Sequence, residues 1–188
     1  VIVTSHESIA VGVSRILPKS VKCTGVVYPE LDEANVICEL MKDKEPFFEI
    51  TGSVTKYRQQ EIDRVNGVIQ ILGIQHTFGL TQAIPFLALK GDIEMKRGAY
   101  SLHPPQTKDW PYSSPTRIYR ALQIDHNLPV LTRYFGQNPI EDVCYVLAER
   151  SDIFQMVNMF VNRNQLLDFI TPRIKKYNVI ARERNDVL

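Results

Sequence analysis

Hydrophobic positions follow two rhythms along this 188-residue chain. Short β-branched or aromatic runs at Val1–Thr4, Val21–Tyr28, Phe47–Thr51, Ile74–Phe78, Gly98–Pro104 and Leu128–Thr132 predict strands. Between them the spacing lengthens to three or four residues. Val36, Ile37, Leu40 and Met41 predict a helix over Glu33–Met41 capped by Asp32, and Ile62, Val65, Ile69 and Leu72 predict one over Arg58–Leu72. Ile9–Leu17 and Ala83–Leu89 predict shorter helices. Ile118, Ala121 and Leu122 mark one face of a helix that opens at Pro115 and ends in the Asp125-His126-Asn127 turn. Ile140–Leu147 fits helix and strand equally. Ser151 or Asp152 is expected to cap a helix reaching Val161, and Asn164 another that Pro172 kinks. The charged tail from Ala181 is expected to fray, and Lys42-Asp43-Lys44-Glu45 reads as a solvated turn.

Strands alternating with helices predict an α/β fold with a mainly parallel sheet flanked by helices. Ligands of such sheets bind at the carboxyl ends of the strands, so the loops Gly52–Arg58 and His103–Arg117 are expected to converge there. Composition changes between Tyr28 and Pro46. Residues 1–45 are accordingly read as the end of a preceding domain and a linker, and residues 46–188 as the α/β domain with its C-terminal helices.

Composition narrows the class. Hydrophobic residues at 44% and charged residues at 23% suit a globular protein with a sizeable core. A net charge of +1 without a basic block argues against nucleic acid as a partner. No membrane span or signal peptide is legible, which leads to an expected cytoplasmic location and leaves peripheral membrane association open. The chain opens at Val1 without an initiator Met and is read as trimmed or a fragment. Cys23, Cys38 and Cys144 are odd in number and far apart, as expected of reduced, mostly buried thiols.

The candidate chemistry gathers at two helix starts. Ser113, Ser114, Thr116 and Arg117 combine hydroxyls, backbone N–H groups and a guanidinium at the positive end of a helix, an arrangement that suits a phosphate or diphosphate. An ordinary capped helix explains the same residues. Gly52 and Ser53 permit close backbone approach, and Lys56 and Arg58 are either solvated surface charges or, together with the Ser114-Pro115-Thr116-Arg117 helix start, one side of a two-sided diphosphate clamp. His103 precedes Pro104-Pro105 at a strand end and is either a site residue or a loop histidine bonded to backbone. Trp110 and Tyr112, flanking Pro111, fit stacking on a base or sugar and a packed loop equally. Glu141-Asp142 is either a sugar-binding or acid/base pair or a helix-start charge pair. The sequence has no Walker A motif, no GxGxxG and no histidine spacing for a metal, so neither a metal nor another cofactor is expected.

The series Phe47-Phe48-Glu49-Ile50-Thr51-Gly52-Ser53…Arg58, Tyr100-Ser101-Leu102, Ser114-Pro115-Thr116-Arg117-Ile118-Tyr119-Arg120-Ala121-Leu122 and Leu128-Pro129-Val130-Leu131 resembles the donor-binding half of a GT-B glycosyltransferase, over roughly residues 46–180. The resemblance implies a Rossmann-like domain, one half of a GT-B architecture, that binds a nucleotide-diphosphate sugar for transfer to an acceptor. It places Gly52, Ser53 and Arg58 in the first donor loop and Ser113 to Arg117 at the diphosphate helix. It also implies that the last helices pack back toward a partner domain, with the acceptor domain missing or on another chain. Many retaining members carry Glu-x7-Glu near this helix, where Arg117, Tyr119 and Gln123 stand here, so stereochemical class and catalytic residues stay open. A non-enzymatic α/β binding or interaction module is the alternative. Ser5-His6-Glu7, with Arg58…Glu61 and Leu72-Gly73-Ile74, is loosely similar to zinc-dependent sugar deacetylases but lacks their Asp-Asp.

Overall fold

A computed structural model describes residues 2–4, 23–50, 54–73, 79–82, 98–110 and 112–185. Strand β1 (Ile2–Thr4) pairs in parallel with β2 (Cys23–Val26). Helix α1 (Glu33–Leu40) follows, with Asp32 accepting from the Asn35 N–H as its N-cap. The main sheet comprises β3 (Glu45–Ile50), β4 (Gly79–Gln82), β5 (Gly98–His103), β6 (Leu128–Leu131) and β7 (Tyr145–Val146). Its order is β4-β3-β5-β6-β7, and every neighbouring pair is parallel. Helices α2 (Lys56–Ile71), α3 (Pro115–Gln123), α4 (Arg150–Val161) and α5 (Arg163–Asn185) complete a Rossmann-like α/β fold. No described helix is long and apolar enough to cross a membrane.

The core forms where strand and helix faces meet. Phe48, Ile50, Tyr100 and Leu102 are buried on β3 and β5, and every residue of β6 is buried, which explains near-continuous apolar runs in place of alternation. Phe48 and Tyr100 stack at 5.3 Å between centroids, and the Tyr100 hydroxyl donates to the Met156 carbonyl of α4. Close approach requires glycine at position 98, where a Cβ would lie 2.6 Å from Glu49 Cγ and 3.0 Å from the Phe47 carbonyl oxygen.

Several local expectations need correcting. Lys44 is not solvated: its ammonium donates to the Asp125 and His126 carbonyls and to Asn127 Oδ1, bracing a turn in which His126 takes φ of 57°. Burial pulls its pKa down to about 8. Helix α4 starts earlier than expected, at Arg150, with Glu149 at the N-cap position and its N–H donated to the Asp152 carboxylate at 2.6 Å. Helix α5 begins at Arg163, ahead of Asn164, and runs through Pro172 to Asn185 without fraying at Ala181. Ile140–Leu147 is neither one helix nor one strand; a 3-10 helix over Pro139–Val143 leads into β7. The fourth strand begins at Gly79, whereas the run Ile74–Phe78 and the helices expected at Ile9–Leu17 and Ala83–Leu89 lie outside the described residues. Cys144 is buried, but Cys38 is exposed.

The end of α5 stays ordered because the segment Tyr28–Leu31 lies along it. Asn178 accepts from the Leu31 N–H and donates to the Leu31 carbonyl, both at 2.8 Å. Asn185 makes the same reciprocal pair with Tyr28, Tyr177 donates to the Pro29 carbonyl, and Arg184 lies over the Tyr28 ring. Leu31, Val36 and Leu40 thereby join the core of the main domain. Asn178→Ala leaves two buried backbone groups without partners and should lower stability by about 2–4 kcal/mol. Urea unfolding should show a lower midpoint at unchanged slope; an unchanged midpoint would count against this clasp.

Candidate functional site

The order of the sheet locates the site. Counted within the sheet, the strands run 2-1-3-4-5, so the chain leaves β3 toward one side and β5 toward the other, opening a crevice at their carboxyl ends. Loops from both strands meet there. Thr55, the N-cap of α2, accepts from the Arg58 N–H and donates its hydroxyl to the Gln106 carbonyl. Arg133, after β6, donates to the Lys108 carbonyl while its guanidinium lies 4.8 Å above the Phe135 ring.

Within this crevice lies a cavity of about 220 Å³. His103, Pro104, Pro105 and Gln106 line it from the end of β5, Trp110, Tyr112, Ser113, Ser114 and Arg117 from the approach to α3, and Leu131 and Phe135 from the end of β6. Among the described residues the Arg117 side chain makes no hydrogen bond or ion pair. Its guanidinium is therefore available to a ligand. Arg58 is almost fully buried at the start of α2; burial first, and the Arg117 charge second, bring its pKa down to about 10. His103 responds to the same field. Burial, then Arg117, then Arg58 lower it to about 3, so the ring is neutral near pH 7, with Nε2 bonded to Ser101 Oγ at 3.0 Å.

The start of α3 offers fewer donors than a general helix N-terminus. Pro115 has no N–H, and the Arg117 N–H bonds the Ser114 carbonyl at 3.0 Å, which leaves the Thr116 N–H as the first-turn amide for a ligand. Ser114 is the N-cap but makes no capping side-chain bond. Ser113 donates its hydroxyl to Glu141 Oε1 at 2.8 Å. The Lys56 and Thr116 side chains are exposed, and neither lines the cavity. Gly52 and Ser53 lie outside the described residues.

Glu141 is the participant whose role the sequence leaves open. It is fully buried and accepts from Ser113, from the Phe135 and Gly136 N–H groups and from the Asn138 N–H. A signal for it exists: Asn138-Pro139-Ile140-Glu141 has the spacing of a capping box, and both residues complete one around the 3-10 helix. Asp142 points elsewhere, to Tyr134 and Lys176. Among the described residues no cluster of three His, Cys, Asp or Glu side chains is placed to hold a metal ion.

Compared with known proteins, the chain matches no family model, no curated protein and no solved structure.

The depressed His103 sets a pH dependence with a definite sign. Between about pH 3 and pH 6.5 the unfolded chain binds the His103 proton and the folded chain does not, so this residue's contribution to stability falls as pH drops through that window. The slope is at most about 1.4 kcal/mol per pH unit. His103→Gln should lose less stability than wild type between pH 6.5 and pH 4, measured by urea unfolding at each pH. Parallel pH profiles would contradict the assignment.

Proposed function

We propose that the cavity binds the diphosphate of a nucleotide-sugar and that the chain is the donor-binding portion of a glycosyltransferase. The observation that carries this reading is Arg117: a cationic side chain without a hydrogen-bond or ion-pair partner among the described residues, facing a cavity at the positive end of a helix. Arg58 adds charge behind it, and His103 supplies a neutral ring whose nitrogen is able to donate to an oxyanion. The volume of about 220 Å³ falls below the roughly 300–1,000 Å³ usual for a complete ligand site. It suits the phosphates alone, with the sugar reaching outward to an acceptor on a facing domain. Trp110 and Tyr112 give the wall apolar rings against which a base or ribose packs.

The chemistry follows from charge. When the sugar's anomeric carbon leaves the phosphate oxygen, negative charge grows on the departing diphosphate. On this reading Arg117, on the cavity wall, and the α3 dipole meet that charge, and such pre-placed groups stabilise a transition state more than a ground state. Cations of the chain meet the phosphates directly, so binding needs no bridging metal ion.

Two outcomes are expected. Arg117→Ala should weaken a nucleoside diphosphate by about ten- to hundredfold, the equivalent of about 1.5–3 kcal/mol, while leaving affinity for the nucleoside nearly unchanged. Thr116→Val should matter less, because the backbone N–H remains. Calorimetric titration of both variants with uridine, guanosine and adenosine diphosphates and their nucleosides decides this, and equal affinities in wild type and Arg117→Ala would favour the non-enzymatic interaction module. Nucleoside diphosphate binding should also persist in EDTA; loss on chelation, restored by magnesium or manganese, would overturn the metal-free clamp.

A further inference from the structure

The walls of the cavity come from separate segments, and one buried carboxylate joins two of them. Glu141 Oε1 accepts from the Ser113 hydroxyl at 2.8 Å and from the Asn138 N–H at 3.2 Å. Its Oε2 accepts from the Phe135 and Gly136 N–H groups at 2.9 and 3.0 Å. Ser113 and Phe135 both line the cavity, and Ser113 immediately precedes the N-cap of α3. Gly136 takes φ of 67°, a left-handed turn that directs successive N–H groups onto one carboxylate. A charge buried this deeply is tolerated only when hydrogen bonds fill its lone pairs, and four do.

We propose that Glu141 is a positioning residue for the anion cavity: by bonding Ser113 and the Phe135–Asn138 turn together, it sets the distance between the α3 entrance and the facing wall. The inference rests on the anion-binding reading above and assigns Glu141 no contact with the ligand. It also changes the role of Ser113. With its proton on Glu141, Ser113 is a tie between walls in place of a phosphate donor. The phosphate contact then belongs to Arg117, whose aim depends on the residues just before it.

The test uses inorganic pyrophosphate and the fluorescence of Trp110, the only tryptophan of the chain and itself on the cavity wall. Ser113→Ala should bind pyrophosphate roughly tenfold more weakly than wild type with little change in melting temperature, and Ser113→Thr should restore binding. Glu141→Gln should bind at least as weakly as Ser113→Ala, and the double variant no more weakly than Glu141→Gln alone, because both changes cut one connection. In wild type, pyrophosphate should slow amide exchange at Gly136 and Asn138 through their bonds to Glu141, and Ser113→Ala should abolish that protection. If Glu141→Gln does not fold, the Ser113 pair and the exchange data decide. Tighter or equal binding by folded Glu141→Gln would mean that Ser113 donates directly to the anion and would overturn the inference, as would wild-type affinity in Ser113→Ala. Failure of wild type to bind pyrophosphate or any nucleoside diphosphate is a separate result, and it overturns the proposed function itself.

Discussion

Parallel pairing is the constraint on which the rest depends. A strand that pairs in parallel with its neighbour must return through a crossover, so all carboxyl ends of the sheet face one edge. Here β3, β5 and β6 lie side by side, and the loops that leave them have no choice of direction. That is why Thr55 reaches Gln106, 51 residues away, and why Arg133 reaches Lys108. The crevice follows from strand order, and the residues around it differ mainly in charge and shape.

Those residues form a set of like charges held without collapse. Arg58 and Arg117 both depress the pKa of His103 between them, and burial has the larger effect. Holding such a set in place requires a rigid frame. Glu141 provides one on the far wall, where four donors converge on a single buried carboxylate and lock a turn that has no repetitive structure.

A second buried polar cluster works the same way at the other end of the chain. Asn178 and Asn185 satisfy the backbone of the Tyr28–Leu31 segment, joining the C-terminal helix to residues 147 and 157 positions earlier. Lys44 does likewise for the turn after α3. In each case one side chain with several donors or acceptors replaces regular pairing where the backbone cannot supply it.

Features governed by near neighbours are legible in the amino-acid sequence alone. Asp32 as a cap, Ile62, Val65 and Ile69 on the buried face of α2, the buried face of α3, Pro115 at its start and the strand from Gly98 all depend on spacing within a few residues, and they stand where the pattern puts them; Leu72, expected on the buried face of α2, is 40% exposed beyond the helix end. That the loop after β5 and the α3 entrance come together is legible, and His103, Ser113, Ser114 and Arg117 line one cavity. What long-range contact decides is not legible. Lys44 reads as solvent-exposed because nothing near it in sequence calls for an ammonium, yet a turn 81 residues away does. The tail from Ala181 reads as loose because the clasp that holds it lies near residue 28. Ser113 and Glu141 are each visible as polar residues, but their partnership is not. A hydroxyl beside a helix start looks the same whether its proton serves a ligand or a buried carboxylate, and only the packing of the 3-10 helix against that start determines which.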